Sequence, residues 1–382
     1  MRFLFVTGGS AATVFALAPL AHALRLEGHE VFMAANEPMV PVIAAAGLPA
    51  VSLTPLPISH FISTDRSGAP VEIPTDPAGQ ALFTGRWFGR MAAASLPALR
   101  ALAADWRPDV LVGGTMCYAV PLLGAELGIP HVRHAWDAIE ATAIDPGADE
   151  ELKPELAALG LTAVPAPDLF VDLCPPSLLP PGAAPGGQRM RLVPGGGQRL
   201  LEPWMYARGE RRRVLVTAGS RVAPDPDHSY LSGAYAFLRD LVATVDALDA
   251  EMLVAAPEPV AAEVRAELDG VRAGWIPLDV VAPTCDLIVH HGGGVTSLTA
   301  MNAGVPQVVM PQGTVLVPAA ERLAAYGAAV TLGDTGPEAV ADACDRVLST
   351  PSFRDRAGAL AEELHALPLP AEVAGRIEAL AA

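Results

Sequence analysis

The sequence is poor in positive charge. Its 382 residues include 25 Lys and Arg against 42 Asp and Glu, which gives a formal net charge of −17, and Lys153 is the single lysine. A chain of this charge has no basic surface that would attract nucleic acid or an anionic membrane. A phosphorylated ligand must therefore be held by a local arrangement of donors.

Cysteine and long apolar runs are also scarce. No stretch reaches the ~18 uninterrupted apolar residues of a membrane helix, and the apolar start is broken at residues 8–10, which predicts folded structure instead of a signal peptide. The cysteines stand far apart without C-x-x-C spacing, which favours reduced, buried thiols of a cytoplasmic protein over disulfides or zinc ligands. They are Cys117, Cys174, Cys285 and Cys344.

Short Val- and Leu-rich runs, separated by helix-length segments, recur along the chain. Such runs are typical of parallel strands that are buried on both faces of a sheet. Residues 4–10 return almost letter for letter as residues 214–220, which indicates two similar domains. The predicted fold is α/β, with two Rossmann-like, doubly wound domains that face each other across a cleft. Strands are predicted near residues 3–7, 31–34, 50–53, 110–113, 131–134, 169–173, 214–217, 252–255, 271–275, 287–289, 307–310 and 329–332.

Proline and glycine mark the boundary between the two domains. They are dense over residues 175–197, where neither a helix nor a central strand is expected. We predict a first domain at 1–185, a linker at 186–212, a second domain at 213–360 and a separate C-terminal helix at 361–382.

The segment 287–298 carries the strongest functional signal, because an apolar strand runs there into His290, His291, three glycines and a helix start. Glycines let the backbone approach a ligand closely, and a helix N-terminus carries about half a positive charge. This pattern predicts a site for an anion such as a diphosphate. Successive side chains at a strand end point to opposite faces, so we expect only one histidine to reach it and favour His291, beside the glycines.

Residues 290–296, followed by 303–307 and 311–312, resemble the donor-site signature of the two-domain inverting glycosyltransferases of antibiotic biosynthesis, which have the GT-B architecture. The likeness covers almost the whole chain. It is closest to the olivosyltransferases that decorate angucyclines, through segments such as 83–88 and 277–286. The resemblance implies that the second domain binds a dTDP-sugar, that the first binds the acceptor, and that the last helix returns to the first domain.

The resemblance also implies which residues bind the donor. The histidine pair and the amides of the glycine turn would hold the diphosphate, the end of the second domain's first strand would close over it, and the segment from Trp275 would line the base. The donor set is Gly219, Ser220, Arg221, Trp275, Pro277, Leu278, His290, His291, Gly293, Gly294, Val295, Thr296, Gln312, Val315 and Leu316.

Val315 and Leu316 depart from the family pattern. Many relatives carry Asp-Gln at these positions, where the two side chains hold sugar hydroxyls. An apolar pair would leave those hydroxyls unpaired, at a cost of ~1 to 3 kcal/mol each. We therefore expect a 2,6-dideoxyhexose such as D-olivose instead of glucose, with loop packing as the alternative role of the pair.

The second departure concerns the catalytic base. Many relatives have His where Thr13 stands, and Thr13 cannot take its role. Asp137 resembles the carboxylate credited with this role in the angucycline branch. A carboxylate of pKa about 4 is a weak base for a phenol of pKa about 10, so one of the two values must shift. The candidate catalytic residues are Asp137, Ser10 and Thr13, and the alternative for Asp137 is a helix cap or an ion pair.

A long segment, Thr54 to Gly79, is rich in apolar and aromatic residues, although its prolines disfavour regular structure. Loops of this length are usually functional. We expect it to build a wall for a flat polyketide by stacking, and its likeness to the carbon-linking angucycline enzymes favours a C-glycosidic over an O-glycosidic bond. The acceptor set is His60, Phe61, Trp87, Met91 and Trp136.

Two patterns that suggest metal binding are better explained otherwise. Asp225-Pro226-Asp227 resembles a D-x-D motif but precedes a helix, where capping is favoured. His131, His134 and Asp137 lie on a strand and loop, where their spacing does not bring them to one face. We expect neither a metal nor another cofactor.

Three functions remain open from the sequence. The first is transfer of a dTDP-deoxysugar to an aromatic polyketide, through carbon or oxygen, by a monomer or homodimer. The second is a nucleotide-sugar 2-epimerase of the same architecture, which the apolar pair disfavours. The third is a non-catalytic nucleotide-binding partner.

Overall fold

The computed structural model describes residues 1–180, 187–219, 238–242, 244, 250–268, 270–333 and 336–381. Within this part of the chain, no helix combines the length and the apolar character needed to cross a bilayer.

Two parallel sheets organise the molecule. In the described residues, the first has seven strands in the order β3-β2-β1-β4-β5-β6-β7 and the second has six in the order β10-β9-β8-β11-β12-β13. The order reverses beside β1 and again beside β8, and crevices for ligands form at such points, beyond the carboxyl ends of strands. The strands are β1 Arg2–Val6, β2 Glu30–Ala35, β3 Ala50–Ser52, β4 Val110–Gly114, β5 His131–His134, β6 Leu169–Asp172, β7 Gln188–Arg189, β8 Arg213–Thr217, β9 Glu251–Ala255, β10 Arg272–Gly274, β11 Leu287–His290, β12 Gln307–Val309 and β13 Ala329–Thr331.

Helices connect these strands and are delimited by local signals in the sequence. Asp76 caps the longest helix by accepting a hydrogen bond from the Gly79 amide at 2.8 Å, while Gly128 and Gly327 end two others with positive φ angles of 65° and 95°. The helices that the structure describes are α1 Ala11–Leu26, α2 Val40–Ala45, α3 Ile58–Ser63, α4 Pro77–Asp105, α5 Ala119–Leu127, α6 Asp145–Glu151, α7 Lys153–Ala158, α8 Pro203–Tyr206, α9 Glu258–Glu267, α10 Leu278–Val281, α11 Gly294–Asn302, α12 Val317–Tyr326, α13 Pro337–Ser349, α14 Pro351–His365 and α15 Pro370–Glu378.

The predicted fold class is confirmed, and every predicted strand is present with ends within one residue of those predicted. Two local differences have physical reasons. Residues 188–189, which fall in the predicted linker, pair with the outer edge of β6 as strand β7. The segment after Thr54 contains helix α3, because Pro57 stands immediately before the helix, where a proline does not break it.

The apolar interior of the first sheet extends into helices of the second domain, while most buried strand residues of the second sheet form two further clusters. Buried side chains of α11, α12, α14 and α15 belong to the same cluster as the core of the first sheet. The last helix lies against α1, where His29 Nε2 is 2.9 Å from Glu378 Oε1. Close to it, the Arg191 amide donates to the Pro368 carbonyl at 2.7 Å. The chain therefore crosses back to the first sheet after completing the second.

Candidate functional site

Asp137 follows β5 at the carboxyl edge of the first sheet. Its side chain is almost completely buried, and this burial raises the pKa of the carboxyl to about 7, although hydrogen bonds from Ile139 and Trp136 oppose the shift. The Ile139 amide donates to Oδ1 at 3.1 Å. A carboxyl of this pKa can accept a proton from a hydroxyl near neutral pH. The shift that the sequence analysis required of a base is thus present.

Helix α11 of the second sheet begins directly against Asp137. Its first residue is Gly294, and a Cβ atom on this glycine would overlap Asp137 itself. The preceding turn needs glycine at Gly292, whose φ is +85°. Between the two domains lies a cleft, partly open to solvent, lined by residues that include Asp137, Gly292, Gly294, Ser297, Leu316 and Arg322.

The two adjacent histidines have different environments. His290 is fully buried: Gly292 donates its amide to Nδ1 at 3.1 Å, so Nε2 carries the hydrogen and donates to Gln307 Oε1 at 2.8 Å. Burial lowers its pKa to about 4, which keeps the ring neutral. With both ring nitrogens engaged, His290 is not placed to meet a ligand. The structure therefore favours His291 over His290 at the diphosphate, and both assignments stay predictions.

His291 is half-buried and lies over the glycines of the proposed anion site. A Cβ atom on Gly219 would stand 2.7 Å from His291 Cε1, and one on Gly293 would also collide with the ring. The end of β8 and the turn after β11 therefore meet at this imidazole. Ser220 and Arg221, predicted beside Gly219, lie outside the described residues.

The other residues of the predicted phosphate site surround the same turn. Val295 packs on the core of the first sheet, and Thr296 is half-buried in the first turn of α11. The Gln312 amide donates to the His291 carbonyl at 3.0 Å. These contacts fix the backbone around the helix start.

The predicted base-binding segment lies next to the linker. Trp275 is half-buried and donates its indole N–H to the Gly197 carbonyl at 2.9 Å. Pro277 is buried and Leu278 is the first residue of α10. The indole nitrogen is thus occupied by the linker, and only the ring faces remain for a nucleobase.

The apolar pair stands where the two domains meet. Thr314, next to the pair in a short 3₁₀ turn, donates its hydroxyl to Gln80 Oε1 at 2.7 Å. Val315 packs against the core of the first sheet, whereas Leu316 lines the cleft beside Asp137. Packing therefore accounts for Val315, and Leu316 is positioned to meet a sugar.

Ser10 and Thr13 stand at the start of α1. The Thr13 hydroxyl accepts a hydrogen bond from Thr7 Oγ1 at 2.9 Å and lies 2.8 Å from the Gly8 carbonyl and 2.7 Å from that of Ser10. Ser10 is half-buried and precedes the helix without capping it through its side chain. The Thr13 hydroxyl is therefore engaged within the β1–α1 turn, and its catalytic role stays a prediction.

Two of the predicted acceptor residues, Trp87 and Trp136, pack on the same residue, Phe88, whereas His60 and Phe61 lie on helix α3. The ring of Trp87 stacks on Phe88 with centroids 3.6 Å apart, and Trp136 packs so closely on Gly8 that a Cβ there would lie 2.7 Å from the indole. His60 meets Phe61 edge to face on α3. Met91 lines a second cavity beyond the ends of β1, β2 and β4.

Sequence reasoning missed two polar residues in these cavities. Asn36 follows β2 and lines the second cavity; Nδ2 donates to the Leu56 carbonyl at 3.3 Å, while Oδ1 is buried and has no partner among the described residues. An asparagine at a strand end was the available signal. Arg322 lines the cleft between the two domains from the middle of helix α12. It is not part of any sequence motif, so the sequence could not predict its position in the cleft.

The predicted absence of a metal remains untested. His134 is fully buried with Nδ1 2.6 Å from the Ala135 carbonyl, and His131 Nδ1 faces Asp168 at 3.4 Å. Asp225 and Asp227 lie outside the described residues.

Comparison with known proteins follows the division into two domains. Residues 78–219 match the N-terminal domain model of the erythromycin biosynthesis protein CIII-like family, and residues 239–380 match its C-terminal domain model. The chain is 35% identical over 379 residues to an L-demethylnoviosyl transferase of Streptomyces niveus, covering 98% of this chain and 97% of the relative.

Solved structures agree over nearly the full length. The glycosyltransferase SsfS6 of Streptomyces sp. SF2575, in complex with thymidine diphosphate, superposes with a TM-score of 0.86 at 34% identity, covering 99% of each chain. The spinosyn rhamnosyltransferase SpnG, in complex with spinosyn aglycone, gives 0.84 at 30% identity, covering 99% of this chain and 100% of that one.

The chain belongs to the erythromycin biosynthesis protein CIII-like family of antibiotic-biosynthesis glycosyltransferases, with two Rossmann-like domains in the GT-B arrangement. The sequence-based prediction of a glycosyltransferase is confirmed. None of the relatives named above is an angucycline olivosyltransferase, so that narrower resemblance stays a prediction.

Proposed function

We propose that this enzyme is an inverting transferase that moves a 2,6-dideoxyhexose, D-olivose in our prediction, from a dTDP-sugar to an angucycline-type aromatic polyketide. The C-glycosidic bond is favoured and the O-glycosidic bond is the alternative. The observation that carries the proposal is the buried Asp137 carboxyl, which directly faces the start of helix α11.

Asp137 supplies the base in this proposal. Its pKa of about 7 brings it closer to that of a phenol, which is about 10 in water. Removal of the phenolic proton also increases electron density on the neighbouring ring carbon. One carboxylate therefore supports attack on the anomeric carbon by either the oxygen or the carbon of the acceptor.

The glycine turn and helix α11 supply the donor site. A diphosphate beside Gly293 and His291 would meet the exposed amides and the positive end of the helix dipole. Negative charge grows on this leaving group as the sugar–phosphate bond breaks, so these contacts strengthen in the transition state. The complex of the similar SsfS6 with thymidine diphosphate supports a thymidine nucleotide as the donor's carrier.

The sugar and acceptor assignments have their own support. Leu316 at the cleft offers no hydrogen bond to a sugar hydroxyl, in keeping with a deoxygenated ring. A 2-deoxy sugar forms an oxocarbenium-like transition state more readily, which lowers the demand on the base. The aglycone complex of SpnG, and the apolar second cavity with Met91 and Phe88, support a polyketide-type acceptor in the first domain.

Two further elements of the proposal concern conditions. The helix start replaces a divalent cation at the diphosphate, so we propose metal-independent transfer. The four cysteines are free and buried, which supports our proposal of a cytoplasmic enzyme.

The direct test is incubation of the purified protein with dTDP-D-olivose and an angucycline aglycone, with and without EDTA. In both samples we expect release of dTDP and a product that is heavier than the aglycone by one dideoxyhexosyl residue. The product should be stable to acid if the bond is to carbon. Asp137→Asn should lower the rate of product formation by about 10²- to 10⁴-fold. Acid-labile product would establish the O-linked alternative. Isomerised donor in the absence of acceptor would support the epimerase, and bound donor without any turnover would support a non-catalytic partner.

A further inference from the structure

Arg322 spans the two domains with a single guanidinium group. It lies on helix α12 of the second domain, and its side chain is mostly buried. Nε donates to the Leu178 carbonyl at 2.8 Å, and one terminal nitrogen donates to the Ala138 carbonyl at 2.7 Å. The other terminal nitrogen faces Glu140 Oε1 at 3.2 Å. Ala138 and Glu140 follow β5 and Leu178 follows β6, so all three partners belong to the first domain.

The bond to Ala138 acts immediately beside the proposed base. Ala138 is the residue after Asp137, and the next amide, that of Ile139, donates to Asp137 Oδ1. The guanidinium of Arg322 therefore binds the same turn whose Ile139 amide orients the Asp137 carboxylate. Gly294, from the second domain, contacts Asp137 on another side.

We propose that Arg322 is a positioning residue that couples closure of the two domains to placement of Asp137, an inference that rests on the proposed role of Asp137 as base. In the closed arrangement the guanidinium holds the 137–140 turn at the cleft. When the domains separate, these bonds break and the turn loses its support from α12. The base is thus fully positioned only while the donor domain is docked.

Geometry explains why such a contact affects rate more than binding. Arg322 donates to backbone carbonyls of the first domain, while the predicted diphosphate contacts lie on the turn around Gly293. A displacement of about 1 Å in a catalytic group can cost about 10²-fold in rate. Loss of the guanidinium should consequently lower kcat and leave the KM for the donor nearly unchanged.

The test compares two variants. Arg322→Met removes the hydrogen-bond donors of the guanidinium group, whereas Arg322→Lys keeps the positive charge and can still donate a hydrogen bond to a carbonyl. We expect Met to lower kcat about tenfold or more, with the KM for the dTDP-sugar within about threefold, and Lys to recover most of the kcat. Hydrogen exchange of a peptide spanning residues 137–140 should become faster in Arg322→Met. Arg356→Met is the matched control, because Arg356 stacks on Tyr326 at the end of the same helix without reaching the first domain's turn.

Wild-type kcat in Arg322→Met would overturn the inference. So would a loss of kcat that merely matches the loss of folded protein, with exchange in the 137–140 peptide unchanged. Asp137→Asn is assayed alongside to separate the two claims. An active Asp137→Asn contradicts the proposed function, whereas an inactive Asp137→Asn with a fully active Arg322→Met contradicts the role of Arg322 alone.

Discussion

Gly294 meets Asp137 so closely that no side chain fits between them. The first belongs to the helix that is proposed to hold the leaving diphosphate, and the second is the proposed base. An inverting displacement needs the leaving group and the attacking group on opposite sides of one carbon atom. The contact between Gly294 and Asp137 therefore sets the distance between the proposed diphosphate site and the proposed base.

The contact can be tested with Gly294→Ala. The added methyl group must push the helix start away from Asp137, so we expect kcat/KM to fall at least about tenfold, as expected for displaced catalytic groups. Gly358→Ala is the control, because a Cβ there meets nothing within 4 Å. Steady-state kinetics of both variants measure the effect, and a fully active Gly294→Ala would contradict this reading of the site.

The proposed base predicts a specific pH profile. Because Asp137 must be ionised to accept a proton, kcat/KM should rise with pH and level off above its pKa of about 7. Asp137→Asn should lower the rate by about 10²- to 10⁴-fold and abolish the rise of kcat/KM with pH. The measurement is kcat/KM of both proteins from pH 5.5 to pH 9. An unchanged rise in the variant would show that another group titrates.

The same carboxyl predicts a pH-dependent change in stability. Its folded pKa of about 7 lies above the unfolded value of about 4, so ionisation costs free energy in the folded state and this cost grows as pH rises from about 4 to about 7. Asp137→Asn should therefore stabilise the fold more at pH 8 than at pH 5.5, by an amount on the order of 2 kcal/mol. Thermal unfolding at the two pH values provides the measurement. Asp342→Asn, which removes an exposed carboxylate, is measured alongside as the control.

The two histidines should separate stability from binding. His290→Ala leaves a cavity and deprives Gln307 and the Gly292 amide of partners, so we expect a loss of about 2 to 4 kcal/mol in unfolding free energy. His291→Ala should instead weaken thymidine diphosphate binding with little change in Tm. Calorimetric titration together with thermal unfolding distinguishes the two effects. The reverse pattern would place His290 at the ligand.

Asn36 should contribute to the choice of acceptor. Asn36 lines the second cavity and its buried Oδ1 has no partner among the described residues, so an acceptor hydroxyl that donates to it removes a desolvation penalty of about 1 to 3 kcal/mol. We expect Asn36→Leu to raise KM about tenfold for a hydroxylated aglycone and to leave KM nearly unchanged for an analogue lacking that hydroxyl. Equal effects on both aglycones would show that Asn36 only supports packing.

The sequence predicted the fold well because buried parallel strands carry a strong local signal. Val214 to Thr217, for example, is a continuous apolar run that needs both faces of a sheet covered. It predicted less well where a short element depends on its neighbours. The two residues of β7 are a strand only because the edge of β6 is open to them.

The site was predictable where backbone chemistry dictates the residue type. The glycine turn before α11 and the position of Asp137 after a strand are both of this kind. The roles of the two histidines could only be ranked from the sequence, because the choice depends on Gln307, which lies on another strand. Arg322 was beyond prediction, since its partners, two backbone carbonyls and the Glu140 carboxylate, lie far away in the chain.

The path of the last helix restricts how hybrid enzymes can be assembled from this scaffold. Helix α15 lies against α1, where His29 contacts Glu378, although it follows the whole second domain in the chain. A chimera spliced once within the connecting segment would bring together a terminal helix and a docking surface from different parents. A second splice after α14, chosen so that α15 and α1 come from the same parent enzyme, would preserve the contact between them.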